Sequence, residues 1–363
     1  MSFFEKTRSW YGRFERPISS LSLIAGFIFD AVTLKRLDTL WENLWILGHI
    51  IIVAVFIILI HVKEKEDNDE NNPSKAHFWY VNILQFFFGG ILSAFLVFYF
   101  RSTDILVTWP FLFILALAFV ANESLKKHYI RLSFQISLLF LSVYSFMIFL
   151  VPVILHQIGM WIFILSGLIS LIFIIIFVQI LFFFVKDKFL KSRKIIVLLI
   201  LGIFGLVNFL YFTNLIPPIP LSLKEAGVYH SIQKNTEGNY DVTRDDYDWK
   251  NYIKLYPDFN KTIGSPVYAY SAIFSPQNLN ITIIHEWQYY DEINKKWITS
   301  QSVNLNVVGG RDGGFRTYSK RTSLIPGKWR INIKTQQGQT IGRIRFNIVN
   351  VDTEPIVVND VKE

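Results

Sequence analysis

The sequence predicts two parts of different fold class: an α-helical polytopic membrane domain with seven transmembrane helices, followed by an all-β, immunoglobulin-like sandwich domain. Up to Pro217 the chain consists of long apolar runs separated by short charged segments, as expected for helices that cross a bilayer. Beyond Pro217, apolar and polar residues alternate with a period of two between turns that contain glycine and proline. That alternation is typical of strands with one buried face.

The membrane domain is predicted to occupy residues 1–216. A helix needs about 20 mostly apolar residues to cross the hydrocarbon core, and seven segments qualify. The first is the weakest and contains Asp30, and the fourth contains Pro110, which a membrane helix tolerates. The predicted spans are about 18–34, 43–62, 78–100, 103–121, 132–155, 158–185 and 195–214.

The charges of the connecting segments predict the orientation of the chain. With the N-terminus in the cytoplasm, the predicted inner segments carry fifteen Lys and Arg residues and the outer loops carry three, in line with the positive-inside rule. The inner segments include 63–77 and 186–194. An odd number of spans then places the C-terminal domain outside the cytoplasm. Because the chain has no cysteine, that domain has no disulfide bonds to hold it together.

Three segments follow the last predicted span. Residues 217–263 begin with three prolines within four positions and are polar, so we expect a proline-rich exit and an irregular stalk. Residues 264–350 are expected to form the extracytoplasmic β-sandwich, and residues 351–363 a C-terminal tail. The alternating runs of the sandwich begin near Val267, Leu279, Ser302, Lys328 and Arg343.

Several motifs of this last part occur in a recognisable order. Trp287 is followed by Gly310-Arg-Asp-Gly-Gly-Phe-Arg-Thr-Tyr-Ser319, Pro326-Gly-Lys-Trp-Arg-Ile331 and Gly342-Arg-Ile-Arg-Phe346. Over about 280–350 this order resembles the bacterial domain-of-unknown-function family 2914. The resemblance implies a domain placed behind membrane helices, and it implies no chemistry. The seven-helix part resembles no family that we recognise.

The strongest candidate for a binding surface is a group of basic residues on the polar faces of the strands. Residues 328–334 and 341–348 are joined by a short glycine-containing turn, so we expect them to form a hairpin. The candidate ligand-binding residues are Arg316, Arg330, Lys334, Arg343 and Arg345. Anionic lipid headgroups, an acidic envelope glycan or a partner protein would suit such a face. The alternative is an ordinary solvated face, partly neutralised by acidic residues such as Glu286.

A second group of polar residues lies within or at the ends of the predicted spans. Ionisable residues in membranes are costly and often functional. If these residues converge near the outer side of the helix bundle, the protein would be a transporter or a membrane-embedded enzyme. Helix pairing and anchoring at the membrane interface are the alternatives for each residue. The members of this predicted cluster are Asp30, His49, Arg101, Asp104 and His156.

Other signals argue against common chemistries. His285 and Glu286 lie in a strand pattern without a second histidine at helical spacing, so we expect a buried, hydrogen-bonded histidine rather than a metal ligand. No catalytic triad, paired catalytic carboxylates, nucleotide motif, metal site or cofactor site is recognisable, and the basic balance is explained by membrane-flanking loops rather than nucleic acid. We therefore expect a non-enzymatic, membrane-anchored binding or interaction module in the bacterial cytoplasmic (inner) membrane.

Overall fold

The computed structural model describes residues 27–34, 39–67, 75–101, 105–124, 131–246, 251 and 253–362. The chain divides into two compact units: a helical unit within the first 213 residues and a β-rich unit that contains residues 214–363. Residues 155–159 belong to the β-rich unit, where Ile158 packs against the hydrophobic core.

The helical unit contains seven helices among the described residues. A short segment over residues 27–33, α1, is the described part of the first predicted span; residues 18–26 lie outside the description. Long apolar segments favour the remaining helices, because a helix satisfies its own backbone hydrogen bonds in apolar surroundings. They are α2 (Leu40–Asp67), α3 (Lys75–Arg101), α4 (Ile105–Ser124), α5 (Leu132–Leu155), α6 (Met160–Phe184) and α7 (Lys186–Phe212).

Five of these helices are long and apolar enough to cross a membrane: α2, α3, α5, α6 and α7. Helix α4 contributes a shorter apolar stretch, Thr108–Ala121. Several apolar helices thus indicate a membrane-associated protein, whereas the count of seven spans stays a prediction. One expected loop is wrong: residues 186–194 are not a connection but the first turns of α7, which begins one residue after α6 ends. The charged residues there are good helix formers, so nothing local interrupts the helix.

Two contacts explain how the helices approach one another closely. At Gly90 of α3 a Cβ atom would lie 3.4 Å from the His49 ring of α2. At Gly167 of α6 a Cβ would lie 2.9 Å from the hydroxyl of Tyr144 in α5 and 3.1 Å from Phe204 in α7. Small residues at such positions let the backbones of membrane helices come together.

The β-rich unit contains eleven strands among its described residues. Those predicted by alternation are present, and the expected hairpin of β9 and β10 forms with Ile331 opposite Ile344. The strands are β1 (Ser222–Tyr229), β2 (Ser231–Lys234), β3 (Tyr240–Asp245), β4 (Asp258–Lys261), β5 (Val267–Phe274), β6 (Ile281–Asp291), β7 (Lys296–Val307), β8 (Phe315–Arg321), β9 (Gly327–Thr335), β10 (Thr340–Asn350) and β11 (Val357–Lys362).

Three sheets result, with strand orders β1-β5-β8, β4-β10-β9-β6-β7 and β11-β3-β2. All neighbouring strands are antiparallel except β4 and β10, which are parallel. One core contains side chains from both the first and the second sheet, including Ile273 of β5, Trp287 of β6 and Trp329 of β9. The inward-facing residues are the apolar positions of the alternating runs, so burial of these side chains sets the register of the strands.

The expected boundaries of the β region differ from the structure. Residues 217–263 do not form an irregular stalk, because β1 pairs with β5 and β4 pairs with β10. Residues 351–363 are not a free tail either, since β11 pairs with β3. These strands are short, polar or both, and their partners lie far away in the sequence, so local alternation does not reveal them.

Candidate functional site

Four of the five predicted ligand-binding residues lie on the outer face of the five-stranded sheet. Arg330 is directly opposite Arg345 in the β9–β10 hairpin, and Arg343 is opposite Asn332. Lys334 is two positions beyond Asn332, on the same side of the pleat. We call Arg330, Lys334, Arg343 and Arg345 the sheet-face cluster.

Side-chain amides fix the geometry of this cluster. The Nε atom of Arg330 donates to Gln288 Oε1 at 2.7 Å, and the Nε atom of Arg343 donates to Asn332 Oδ1 at 2.5 Å. Asn332 in turn donates to Glu286 Oε2 at 2.9 Å and to Gln288 Oε1 at 3.1 Å. Because β6, β9 and β10 are neighbours in the sheet, these bonds form one connected network across three strands.

Arg330 is the best-placed anion receptor of the cluster. Its guanidinium lies 4.2 Å from the centroid of the Trp297 ring, within the range of a cation–π contact. Nε is occupied by Gln288, and no hydrogen-bond partner is recorded among the described residues for its two terminal nitrogens. Partial burial, followed by the charges of Arg343 and Arg345, lowers the pKa of Arg330 to about 10. An anion at the terminal nitrogens would therefore be favoured by both geometry and charge.

Glu286 neutralises part of the positive charge of this face. Glu286 forms an ion pair with Lys334, with 2.6 Å between Oε2 and Nζ. Burial by itself raises the pKa of Glu286, but the bonds from Lys334 and Asn332 outweigh burial, so the pKa lies below its usual value. One carboxylate beside four cations leaves the sheet-face cluster with an excess of positive charge.

Arg316 does not join the other four. It belongs to β8, in the sheet formed by β1, β5 and β8, and it is buried. Its guanidinium donates to the carbonyl of Gly238 at 3.3 Å and to Asn239 Oδ1 at 3.2 Å, in the turn between β2 and β3. Residues 217–263 were expected to be irregular, so no sequence pattern predicted these contacts of Arg316. Arg316 thus has bonds that position the β2–β3 turn.

Sequence patterns missed the neutral members of the binding face. Gln288 and Asn332 occupy polar positions of alternating strands. This pattern indicates on which face of the sheet they lie, but it does not indicate their hydrogen bonds. Trp297 and Tyr256, stacked with a centroid distance of 6.2 Å, come from β7 and from the segment before β4. Their approach to Arg330 depends on strand order and register, which no local pattern supplies.

The predicted membrane cluster is only partly described. Asp104 and the side chain of Arg101 lie outside the described residues. Asp30 is buried in α1 and faces Ser93. His49 Nδ1 donates a hydrogen bond at 2.8 Å to the carbonyl of Trp45, and the His49 ring packs on the Trp45 ring. His156 is exposed in a turn of the β-rich unit, with φ of 53°. The contacts recorded for the described members give each of them different neighbours.

A different polar cluster connects three helices of the helical unit. His61 of α2 is fully buried, with Nδ1 at 2.7 Å from Glu64 Oε2 and Nε2 at 2.9 Å from Gln135 Oε1 of α5. Glu64 also pairs with Lys188 of α7. The cluster joins the C-terminal part of α2 to the N-terminal parts of α5 and α7. No sequence pattern indicated it, because Glu64 and Lys188 were expected in loops.

His285 has the environment expected for a buried histidine. Trp287 Nε1 donates to Ser319 Oγ at 3.0 Å, and Ser319 Oγ lies 3.0 Å from His285 Nδ1. Ser271 Oγ is 2.9 Å from His285 Nε2 and 2.9 Å from Thr317 Oγ1. These contacts fit a neutral His285 ring that carries its proton on Nε2. Ser319 Oγ then donates to Nδ1, and Nε2–H donates to Ser271 Oγ, so each of these polar hydrogens has an acceptor. Burial lowers the pKa of His285 to about 4.

Metal chemistry finds no support in the part of the chain that the structure describes. No group of three or more His, Asp or Glu side chains there is arranged to hold an ion. The contacts of His285, described above, are with hydroxyl groups.

Comparison with known proteins confirms the predicted resemblance. The family model described as "Protein of unknown function (DUF2914)" matches residues 280–348, which include most of β6 to β10. A comparison with curated proteins returns no match. The chain thus combines apolar helices, which suggest a membrane-associated protein, with a C-terminal part that matches this family of unknown function.

Similar solved structures add little. A β-glucosidase from Listeria innocua in complex with isofagomine is 10% identical, with a TM-score of 0.21; the match covers 35% of this chain and 16% of the glucosidase. The Pseudomonas fluorescens alkylpurine DNA glycosylase AlkC, bound to DNA containing an abasic site analog, is 11% identical, with a TM-score of 0.21 and coverage of 81% and 76%. Similarity at this level carries no argument about fold or function.

Proposed function

We propose that the protein is a membrane-anchored binding module of the bacterial inner membrane, whose extracytoplasmic domain binds an acidic glycan through the sheet-face cluster. The observation that carries the proposal is Arg330. Its guanidinium is oriented by Gln288 and Trp297, while its two terminal nitrogens have no recorded partner among the described residues. A planar fork of this kind matches the two oxygens of a carboxylate, and its fixed orientation reduces the entropy lost on binding.

The strand arrangement supports an immunoglobulin-like assignment for the domain. In the order β1, β4, β5, β6, β7, β8, β9, β10, the strands fit the sequence A, A′, B, C, C′, E, F, G, with sheets ABE and A′GFCC′. The parallel pair of β4 and β10 corresponds to A′ and G. Trp287, buried on the strand that corresponds to C, is a further point of agreement. In this assignment β2 and β3 are a hairpin inserted between A and A′.

The chemistry of the cluster favours a glycan over a lipid surface. Attachment to anionic lipids uses several solvated Lys or Arg residues that act through their diffuse charge. Here Arg330 and Arg343 are bonded to side-chain amides, and Lys334 is paired with Glu286. A preorganised network of guanidinium and amide groups suits individually placed carboxylate and hydroxyl groups better than a fluid surface.

The extracytoplasmic location is inferred from three observations. The excess of Lys and Arg on the predicted inner segments orients the helices with the N-terminus inside. The contact of Glu64 with Lys188 brings the N-terminal end of α7 beside the C-terminal part of α2, on the predicted inner side. Helix α7 has 27 residues, enough to reach the other side of a bilayer before β1 begins.

Binding by the full-length protein in zwitterionic nanodiscs tests the proposal. The probe is labelled polygalacturonate, with neutral dextran as the reference polymer. Loss of a bidentate bond to a charged group costs about 1.5 to 3 kcal/mol, so Arg330→Gln should weaken binding roughly ten- to a hundredfold. The matched control is Arg311→Gln, which removes the same charge from an exposed turn and should leave affinity within about twofold.

Three results would contradict the proposal. Equal loss of affinity in Arg330→Gln and Arg311→Gln would show that net charge alone explains the effect. Equal affinity for dextran and polygalacturonate would show that the carboxylates are not recognised. Binding to vesicles that contain phosphatidylglycerol, without binding to polygalacturonate, would replace the glycan by a lipid headgroup.

A further inference from the structure

An open cleft lies beside strands β7 and β8, at the edges of the two sheets that share the larger hydrophobic core. Its volume is about 400 Å³, within the range of about 300 to 1,000 Å³ that is usual for small-molecule sites. One lining side chain comes from β7, two come from the end of β8, and two follow β8. They are Gln301, Lys320, Arg321, Thr322 and Ser323. All five are polar and two are cationic, so the cleft suits a small polar anion.

A buried side chain anchors the segment that follows β8. Leu324 packs in the hydrophobic core, and its backbone N–H donates to the carbonyl of Thr322 at 3.2 Å. Thr322 and Ser323, which precede this anchor, are exposed and line the cleft. Among the described residues, neither of their hydroxyl groups has a recorded hydrogen-bond partner. Both hydroxyl groups are therefore available to donate to, or accept from, a ligand in the cleft.

Arg321 is the cation of the cleft whose orientation is fixed. Its Nε atom donates to the carbonyl of Ser323 at 3.0 Å, and Nη1 donates to Gln301 Oε1 at 3.3 Å. The guanidinium also lies 5.6 Å from the centroid of the Trp329 ring, within the range of a cation–π contact. The other terminal nitrogen, Nη2, has no recorded partner in the described part of the chain. Partial burial lowers the pKa of Arg321, and an anion bound at Nη2 would offset this cost of burial.

The positive charge of the cleft is not neutralised by any carboxylate of the described residues. The contact recorded for Lys320 is with the ring of Tyr268, at 5.5 Å from Nζ to the centroid, and the contacts of Arg321 are with neutral groups. Elsewhere in the same unit Lys334 has a carboxylate partner, Glu286, at 2.6 Å. The cleft thus keeps two positive charges side by side, and two adjacent cations attract a dianion more strongly than a monoanion.

We propose that this cleft binds the phosphate monoester of a phosphorylated sugar, at a site separate from the sheet-face cluster. A phosphate monoester carries a charge of about −1.5 to −2 at pH 7 and has three acceptor oxygens. These properties match the two charges of Lys320 and Arg321 and the donors beside them. A carboxylate, with one charge and two oxygens, would leave part of this set unmatched. The sugar hydroxyl groups would meet Gln301, Thr322 and Ser323, whose side chains both donate and accept hydrogen bonds.

Titration calorimetry on the full-length protein in zwitterionic nanodiscs tests the ligand class. The probe is glucose 6-phosphate, and the references are glucuronate, glucose and inorganic phosphate. Glucose 6-phosphate should bind saturably and about tenfold more tightly than each reference, because it alone combines the phosphate group with the sugar hydroxyl groups. Absence of saturable binding would overturn the proposal. Equal affinity for glucuronate would overturn the choice of phosphate, and equal affinity for inorganic phosphate would overturn the choice of a sugar.

Two variants test the residues of the cleft in the same measurement. Arg321→Lys keeps the charge but loses the planar fork, and should weaken binding of glucose 6-phosphate about tenfold. Lys320→Gln changes an exposed side chain, so folding is preserved, and should weaken binding about fivefold. The matched control is Lys234→Gln, at an exposed position of β2, which should leave affinity within about twofold.

The outcome for polygalacturonate separates this site from the sheet-face cluster. Arg321→Lys should bind polygalacturonate as the unchanged protein does, while it loses affinity for glucose 6-phosphate. Equal loss of affinity for glucose 6-phosphate in Lys320→Gln and Lys234→Gln would show that net charge alone attracts the ligand and would overturn the proposal. Unchanged affinity for glucose 6-phosphate in both Arg321→Lys and Lys320→Gln would place its binding elsewhere and overturn the proposal as well.

Discussion

The buried histidine of the β-rich unit makes stability depend on pH in a defined window. His285 is fully buried and has hydroxyl partners on both ring nitrogens. Its pKa is lowered to about 4 in the folded protein, against about 6.5 in an unfolded chain. Below pH 6.5 the unfolded state therefore binds a proton that the folded state does not. The contribution of His285 to the free energy of unfolding is therefore fully present above pH 6.5 and is lost as the pH falls towards 4.

The expected magnitude follows from the two pKa values. At pH 5 the histidine is mostly protonated in the unfolded chain and mostly neutral in the folded protein. This difference lowers the free energy of unfolding by about 2 kcal/mol relative to pH 7.5. The full effect below pH 4 is about 3 kcal/mol. The carboxylates of the β-rich unit whose pKa is lowered, Asp258, Glu286, Asp291 and Asp360, change stability mainly below pH 4.5. Of the described groups of the β-rich unit whose pKa is shifted, His285 is therefore the one that titrates between pH 5 and 6.5.

Hydrogen exchange measured by mass spectrometry on the full-length protein in detergent would detect the effect. Peptides from β5 and β6 should lose about 2 kcal/mol of protection between pH 7.5 and 5, after correction for intrinsic exchange rates. His285→Gln keeps a hydrogen-bonding side chain without a titrating ring, and should remove this pH dependence even if it lowers stability at pH 7.5. Protection that falls equally in both proteins would refute the reasoning.

Two further predictions concern the helical unit in detergent. Gly167→Ala should lower the free energy of unfolding by about 1 to 3 kcal/mol, because the new Cβ would lie 2.9 Å from the Tyr144 hydroxyl; Gly202→Ala, with nothing within 4 Å, should not. Glu64→Gln should cost about 2 kcal/mol, between the values for exposed and buried ion pairs, and Lys188→Met added to it should restore part of the loss. Thermal melts check both. Equal melts for the two glycine variants, or a double variant less stable than Glu64→Gln, would contradict them.

Much of the architecture could be predicted from local patterns. Apolar runs of membrane length located the long helices, and alternation located β5, β6, β7, β9 and β10, because burial of one strand face leaves a period of two in the sequence. Strands β1 and β11 escaped prediction because their pairing partners lie from about 40 to more than 100 residues away in the sequence. The first turns of α7 escaped it because charged residues were taken as a loop, although they favour helix.

The candidate binding face could be predicted only in outline. The hairpin of β9 and β10 follows from two alternating runs and a turn, and it places Arg330 beside Arg345. The contribution of Trp297 depends on β7 lying beside β6, a pairing that has no signature in the sequence around Arg330. Arg316 was expected on the same basic face as the others, but the sheet to which a strand belongs depends on the whole fold.

The most direct test of the account is the side of the membrane on which the β-rich unit lies. Ile293 is 92% exposed in the turn between β6 and β7, and the chain has no native cysteine. Ile293→Cys should therefore react with a membrane-impermeant maleimide in cells whose inner membrane is intact. Labelling that appears only after the inner membrane is broken would place the domain in the cytoplasm and contradict the account.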